Sequence, residues 1–240
     1  MIPEEQKQRM AEAVARIRLN MAEAARRAGR DPAEVSLCAA CKTRTVEEVR
    51  YSADLPIDLF GENHVQELVE KTDAGAYNGK PGHFIGHLQT NKVNKVVGRA
   101  SLIQSVDSTR LLDKIDAAAA RLGLTQEILI EINIGAEESK SGVGPDDLWP
   151  LLEAAAAREH LRVRGLMAIP PADADDDQTR RFFAEMRELL GTAASRHYDN
   201  AQMDILSMGM SHDYAMAIEE GATIVRVGTA IYGARDYSKK

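Results

Sequence analysis

Two short segments near the end of the chain carry residue types that bind phosphate. They are Ser207-Met208-Gly209-Met210-Ser211 and, with Arg226 fifteen positions after Ser211, the run Thr223-Ile224-Val225-Arg226-Val227-Gly228-Thr229-Ala230-Ile231-Tyr232-Gly233. Each reads as an apolar strand breaking into a Gly/Ser/Thr turn that opens a helix, where unpaired backbone N–H groups and the helix dipole favour an anion. Two such turns side by side make a phosphate cup. Lys42 closes the first apolar run, Val35 to Ala40, and in a closed parallel sheet the first strand lies next to the last. A lysine at a strand end is by itself more often a solvated cap; beside a phosphate cup it points to a phosphorylated aldehyde held as a Schiff base. That chemistry needs an unprotonated amine, so a lysine partly desolvated among apolar walls and cationic neighbours suits it.

Other residues at strand ends have chemistry to offer. His83 and His87 flank the third apolar run; four apart, they suit zinc only on a helix, whereas a histidine bordering the mouth can hydrogen-bond to or stack on a ring. Asn63, in Gly61-Glu62-Asn63, reaches a ligand hydroxyl or caps the following helix. The loop Glu137-Glu138-Ser139-Lys140-Ser141-Gly142 reads as charged surface, with Lys140 its one residue to watch. Cys38 and Cys41 form a C-x-x-C, but residues three apart on a strand face opposite sides, which argues against a redox or metal pair. Methionines 203, 208, 210 and 216 read as core filling, although Met210, inside the phosphate turn, is also counted among the cofactor-binding residues.

These residues need elements to position them. Met10, Val14, Ile17, Met21 and Ala25 share one helical face, and Gly29-Arg30-Asp31-Pro32 ends that helix. Eight apolar runs follow: Val35 to Ala40, Ile57 to Phe60, His83 to Ile85, Leu102 to Val106, Ile128 to Ile132, Val163 to Ala168, Ile205 to Met208 and Thr223 to Val227. Helix-like stretches lie between them, clearest at Thr109 to Leu122, Asp146 to Glu159 and Asp177 to Ala194. Such alternation predicts a parallel sheet with helical crossovers, and eight units in 240 residues predict a single (β/α)8 TIM barrel with an extra N-terminal helix, one domain over 1–240. A doubly wound open sheet fits less well, because no Gly-x-Gly-x-x-Gly follows an early strand.

Composition narrows the partner. A net charge of −7, with Lys and Arg scattered, argues against nucleic acid and membrane surfaces and for a small molecule. No apolar stretch of transmembrane length and no signal peptide are seen, and two cysteines are too few for a disulfide framework, so cytoplasm is expected.

With these residues in view, the chain resembles the pyridoxal phosphate homeostasis protein family, barrels similar to the N-terminal domain of alanine racemase. The matching blocks are Cys41-Lys42-Thr43, Phe60-Gly61-Glu62-Asn63, His83-Phe84-Ile85-Gly86-His87-Leu88-Gln89, Ser139-Lys140-Ser141-Gly142, Gly165-Leu166-Met167-Ala168-Ile169-Pro170, the Ser207 turn and the Arg226 turn. The resemblance implies that pyridoxal 5′-phosphate (PLP) forms an internal aldimine with Lys42, that Ser211, Gly228 and Thr229 hold its phosphate, and that Arg226 faces the pyridine nitrogen. A guanidinium keeps its proton, so the ring nitrogen stays unprotonated and the cofactor is a poor electron sink. Gly82, His64 and Ala215 stand where tryptophan, tyrosine and glutamate are common; none is a cofactor anchor.

The expected function is a carrier that holds PLP on Lys42, buffers the free aldehyde and releases it to amines, with amino acids or apo PLP-enzymes as recipients, and works as a monomer. The alternative is a PLP-dependent amino-acid racemase. Two-base racemisation needs a proton carrier on each face; racemases with this barrel draw the second from a tyrosine of a further domain, and here the chain stops after the barrel. A sugar-phosphate enzyme also fits the cup, but only the pyridoxal Schiff base is yellow.

Overall fold

The structure, a computed structural model, describes residues 2–137 and 140–234; Ser139 of the fourth matching block lies outside them. Helix α1, Glu4–Arg27, buries Met10, Val14, Ile17, Met21 and Ala25, as their spacing predicts. Glu4 and Glu5 in its first turn and Arg26 and Arg27 in its last suit the helix dipole. Gly29, at φ +68°, ends the helix in the left-handed conformation.

Eight strands follow: β1 Ser36–Ala40, β2 Leu59–Glu62, β3 Gly82–Phe84, β4 Leu102–Val106, β5 Gln126–Ile132, β6 Leu161–Ala168, β7 Ala201–Ser207 and β8 Ile224–Val227. They pair in parallel in sequence order, and β1 closes on β8 with Ser36 opposite Ile224 and Cys38 opposite Arg226. The α-helices between them are α2 Val46–Ser52, α3 Val65–Asp73, α4 Val93–Val96, α5 Thr109–Leu122, α6 Leu148–Ala156, α7 Asp176–Ser195 and α8 Tyr214–Glu219, and α9 Thr229–Tyr232 follows β8. This is the expected (β/α)8 barrel with its added N-terminal helix. That helix packs on α8 and α9, and Arg30 Nη1 donates to the carbonyls of Ile218 and Ala222 at 2.8 and 2.9 Å. It thereby braces the two short helices that follow the phosphate turns.

Period-2 alternation divides the strands between two cores. Cys38, Leu59, Leu102, Leu129, Met167 and Ile224 pack together inside the barrel. Their strand neighbours, among them Leu37, Ala39, Phe60, Ile103, Ile128 and Ile130, pack under the helices. Each fully buried Leu or Ile contributes about 1.5–3 kcal/mol. Cys38 and Cys41 part as expected, Cys38 to the interior and Cys41 to the helix side. Burial pushes the Cys38 thiol up to about 12 and raises Cys41 as well, so both are inert thiols.

Some boundaries differ from expectation for identifiable reasons. Strand β2 runs two residues later than Ile57 to Phe60 and takes in Glu62, because the Glu62 carboxylate is buried against Lys71 Nζ at 2.7 Å. Strand β7 starts at Ala201, four residues early, and Asp204 within this extension forms a bidentate pair with Arg164 at the lower end of the barrel. Helix α6 is shorter than Asp146 to Glu159, and its start is set by the turn through Asp146 and Asp147. Gly82 lies close under Tyr77: a Cβ there would fall 2.8 Å from Tyr77 Cε2, so a larger residue would have to displace that ring.

Candidate functional site

Lys42 follows β1 by two residues, and its backbone is pinned on both sides. Cys41 N–H donates to the Gly61 carbonyl at 3.0 Å, and Cys41 C=O accepts from Lys71 Nζ at 2.8 Å. Thr43, at φ +65°, donates its N–H to Glu67 Oε2 at 2.9 Å. Lys71, on α3, also reaches Glu67 Oε2 at 3.4 Å, while Tyr77 Oη donates to Glu62 Oε1 at 3.3 Å. Burial works against charge on Lys71, but Cys41, Glu62 and Glu67 raise it above the ordinary lysine value; burial likewise raises Glu62. A buried ion pair thus fixes the loop that carries the amine.

The Lys42 side chain lines a cavity of about 320 Å³ at the C-terminal ends of the strands, with Asn63, Met210, Ser211, Arg226, Gly228 and Thr229. Seven of the eight residues singled out from the sequence therefore meet in one place. Asn63 is free to face the cavity because His64, not Asn63, is the N-cap of α3. Met210 is 38 % exposed, which corrects its reading as core filling, whereas Met203 and Met208 are buried. Arg44, missed in the sequence, joins the wall, its Nη2 donating to the Gly233 carbonyl at 2.8 Å. Among the described residues the wall holds Lys42, Arg44, Arg226 and His212 but no carboxylate. In a chain of net charge −7, this wall is locally cationic.

The two turns are tied through one oxygen. Ser211 Oγ accepts from Gly228 N–H and Ala230 N–H, both at 3.3 Å, and from Thr229 Oγ1 at 3.1 Å. Gly209, at φ +89°, makes the first turn, where a Cβ would fall 2.5 Å from Ala217 Cβ. The expected helix dipoles contribute little: α9 has four residues, and α8 begins only at Tyr214. Converging N–H and O–H donors carry the anion preference instead.

Arg226 is 4 % exposed and heads a directed chain of hydrogen bonds. Its Nη1 donates to Ser207 Oγ at 2.6 Å, and Nη2 to the Ala168 carbonyl at 2.9 Å. Ser207 Oγ donates to Gln104 Oε1 at 2.6 Å, and Gln104 Nε2 meets His83 Nδ1 at 2.8 Å. Burial pushes His83 down to about 4, so the ring is neutral and Nδ1 accepts from the amide. The expectation that His83 borders the mouth is corrected. It lines a cavity of about 630 Å³ at the opposite ends of the strands and reaches the mouth only through Gln104, Ser207 and Arg226. That larger cavity offers an anion little, because Arg164 there is taken by Asp204 and by Glu127 Oε1 at 2.7 Å. His87 lies apart from His83, with Nδ1 3.1 Å from Ser141 Oγ, and among the described residues no metal-binding cluster forms.

The family model described as alanine racemase, N-terminal domain, matches residues 13–236. A pyridoxal phosphate homeostasis protein of Aquifex aeolicus (strain VF5) is 41 % identical over 226 residues, 94 % of this chain and 98 % of that protein. The structure of PipY from Synechococcus elongatus PCC7942 with PLP bound is 30 % identical with a TM-score of 0.80, covering 93 % of this chain and 100 % of PipY. Alanine racemase of Streptomyces lavendulae, 21 % identical with a TM-score of 0.73, covers 94 % of this chain but is itself covered over 58 %, and shares the fold. Built on the alanine racemase N-terminal barrel, the chain belongs to the family of pyridoxal phosphate homeostasis proteins.

Proposed function

We propose that the chain binds PLP in the 320 Å³ cavity and serves vitamin B6 homeostasis as a carrier and buffer without turnover of its own. The observation that carries this reading is the meeting, in one carboxylate-free wall, of an amine and two turns, the second converging its N–H and O–H donors on Ser211 Oγ of the first. The cofactor supplies an aldehyde, a ring nitrogen and a phosphate, and the wall offers a partner for each. Lys42 Nζ holds the aldehyde carbon as a Schiff base. Ser211, Gly228 and Thr229 hold the phosphate through the donors that now meet at Ser211 Oγ. Arg226 faces the ring nitrogen and keeps its own proton, its guanidinium held by the Ala168 carbonyl and by Ser207, which Gln104 orients in turn. Asn63 and Met210 complete the wall, and His83 acts only through the chain that ends on Arg226.

A carrier fits better than a racemase. Racemisation needs a second proton carrier facing Lys42, and among the described residues no tyrosine lines the cavity. We read residues 1–240 as one PLP-binding domain, acting as a monomer, with amino acids and apo PLP-enzymes as recipients. A cytoplasmic setting accords with two unpaired buried cysteines; among the described residues no helix is long and apolar enough to cross a membrane.

The test is borohydride reduction of the PLP-incubated protein followed by peptide mass mapping. The expected result is one pyridoxyl group, on Lys42, and no yellow colour in Lys42→Ala. Labelling elsewhere, or none, overturns the assignment.

A further inference from the structure

A second compartment of about 230 Å³ adjoins the Lys42 cavity and shares Asn63, Ile85 and Ile169 with it. Its polar wall includes Glu131, Asn133, His87 and Ser141. Glu131 is 8 % exposed and holds the topmost of three inward positions on β5, above Leu129 and Glu127. Among the described residues its carboxyl group has no hydrogen-bond donor, although it faces the compartment. Glu62, the other deeply buried carboxylate beside the site, differs in having Lys71, Tyr77 and Cys41 as donors. An acidic group buried without a donor is costly and is retained where an outside partner meets it.

The two compartments are complementary in charge. The Lys42 cavity has cations and no carboxylate, while the second has one carboxylate in its lining, Glu131, together with Lys140. Asp107, after β4, is next to Glu131 and raises it; Arg226, on β8, opposes that effect. His87, after β3, lies 3.9 Å from Asp107 Oδ2. Lys140, in the loop after β5, is taken by Glu137 and by the Pro170 carbonyl. Lys42 and Arg44 lie beyond Asn63 and Ile85, and the β6 side contributes the uncharged Ile169.

We propose that the second compartment receives a protonated primary amine, such as an amino acid, on the Glu131 carboxylate, and that Glu131 takes a proton from it during exchange with Lys42. The inference rests on the PLP reading above. A new carbon–nitrogen bond forms to the incoming nitrogen as the bond to Lys42 Nζ breaks. The three hydrogens of the incoming ammonium end on Lys42, one of them held in transit by Glu131, and nothing is oxidised or reduced. An amine must lose a proton before it attacks, so a carboxylate within its binding compartment removes the main barrier at neutral pH. Burial, with Asp107 adding to it, pushes Glu131 up to about 7, a value suited to accepting and returning a proton there.

The test uses methylamine as the probe and two readouts. In the PLP-free protein, ¹³C-methylamine titrated by NMR should give saturable shifts with wild type and at least tenfold weaker ones with Glu131→Gln. In the PLP-loaded protein, borohydride-trappable label on Lys42 should decay with methylamine at least tenfold more slowly in Glu131→Gln. The wild-type rate should also bend near neutral pH on top of the amine's own titration, and the variant should lack that bend. Equal shifts and equal decay in both proteins overturn this inference while leaving PLP on Lys42 intact. Absence of any wild-type label on Lys42 overturns the PLP reading instead. Glu131→Met gives the same comparison should the Gln form be insoluble.

Discussion

Two buried groups, Glu131 and His83, make opposite demands on stability as pH changes, and removing one exposes the other. The Glu131 carboxyl is pushed up from 4.5 to about 7, chiefly by burial. Between those values the folded chain holds a proton that the unfolded chain has released, so stability is full below pH 4.5 and is lost as pH rises through 7. At about 1.4 kcal/mol per pH unit, the window amounts to about 3 kcal/mol. His83 is pushed down from 6.5 to about 4 by burial. Its contribution is full above pH 6.5 and is lost as pH falls through 4, again about 3 kcal/mol. The slopes oppose each other over the shared range, so the pair leaves the wild-type profile nearly flat there. Glu131→Gln removes the falling limb, and the variant should gain stability relative to wild type as pH rises, by about 3 kcal/mol over the window. Urea denaturation followed by circular dichroism from about pH 4 to about pH 8 measures both curves. His83→Gln should change the slope in the opposite sense, and the double variant should be flat again. Parallel wild-type and Glu131→Gln curves would refute the assignment of an uncompensated buried carboxyl.

Lys71→Met leaves the Glu62 carboxylate buried without its cation and should cost about 3–5 kcal/mol, a fall of about 10 °C in Tm. The apolar double variant Lys71→Met/Glu62→Leu should recover most of it by calorimetry, and failure to recover would mean the pair matters through something other than charge. Gly209→Ala adds a Cβ 2.5 Å from Ala217 at φ +89° and should cost about 2–4 kcal/mol by thermal melting; an unchanged Tm would show that the turn relaxes freely.

The barrel was legible because apolar runs and amphipathic helices alternate along the chain, and the interior layer follows from period-2 counting outward from Cys38. The Lys42 loop and the Ser211 and Gly228 turns were legible because a strand-end lysine, ordinary by itself, is distinctive beside two Gly/Ser/Thr turns on the neighbouring strands β7 and β8. Period-2 counting gives a residue's face but not its height in the barrel, which depends on strand stagger. His83 was for that reason placed at the mouth when it belongs below it. Lys71 reads as an ordinary helix-surface residue, and only the fold sets it against Glu62. Glu131 and Gln104 did leave a signal, each a polar side chain within an apolar strand run, but what such a residue faces depends on strands far away in sequence.

Ser211 gives the anion site one more property. Its hydroxyl gathers donors from the other turn, so the chain itself holds both loops in register. On the proposed reading, a phosphate arriving there would exchange one acceptor for another rather than order a slack loop, and little conformational entropy would be spent on capture. A reservoir that fills and empties many times works best when neither direction requires refolding, and a hydroxyl that already gathers the second turn's donors is an economical way to arrange that.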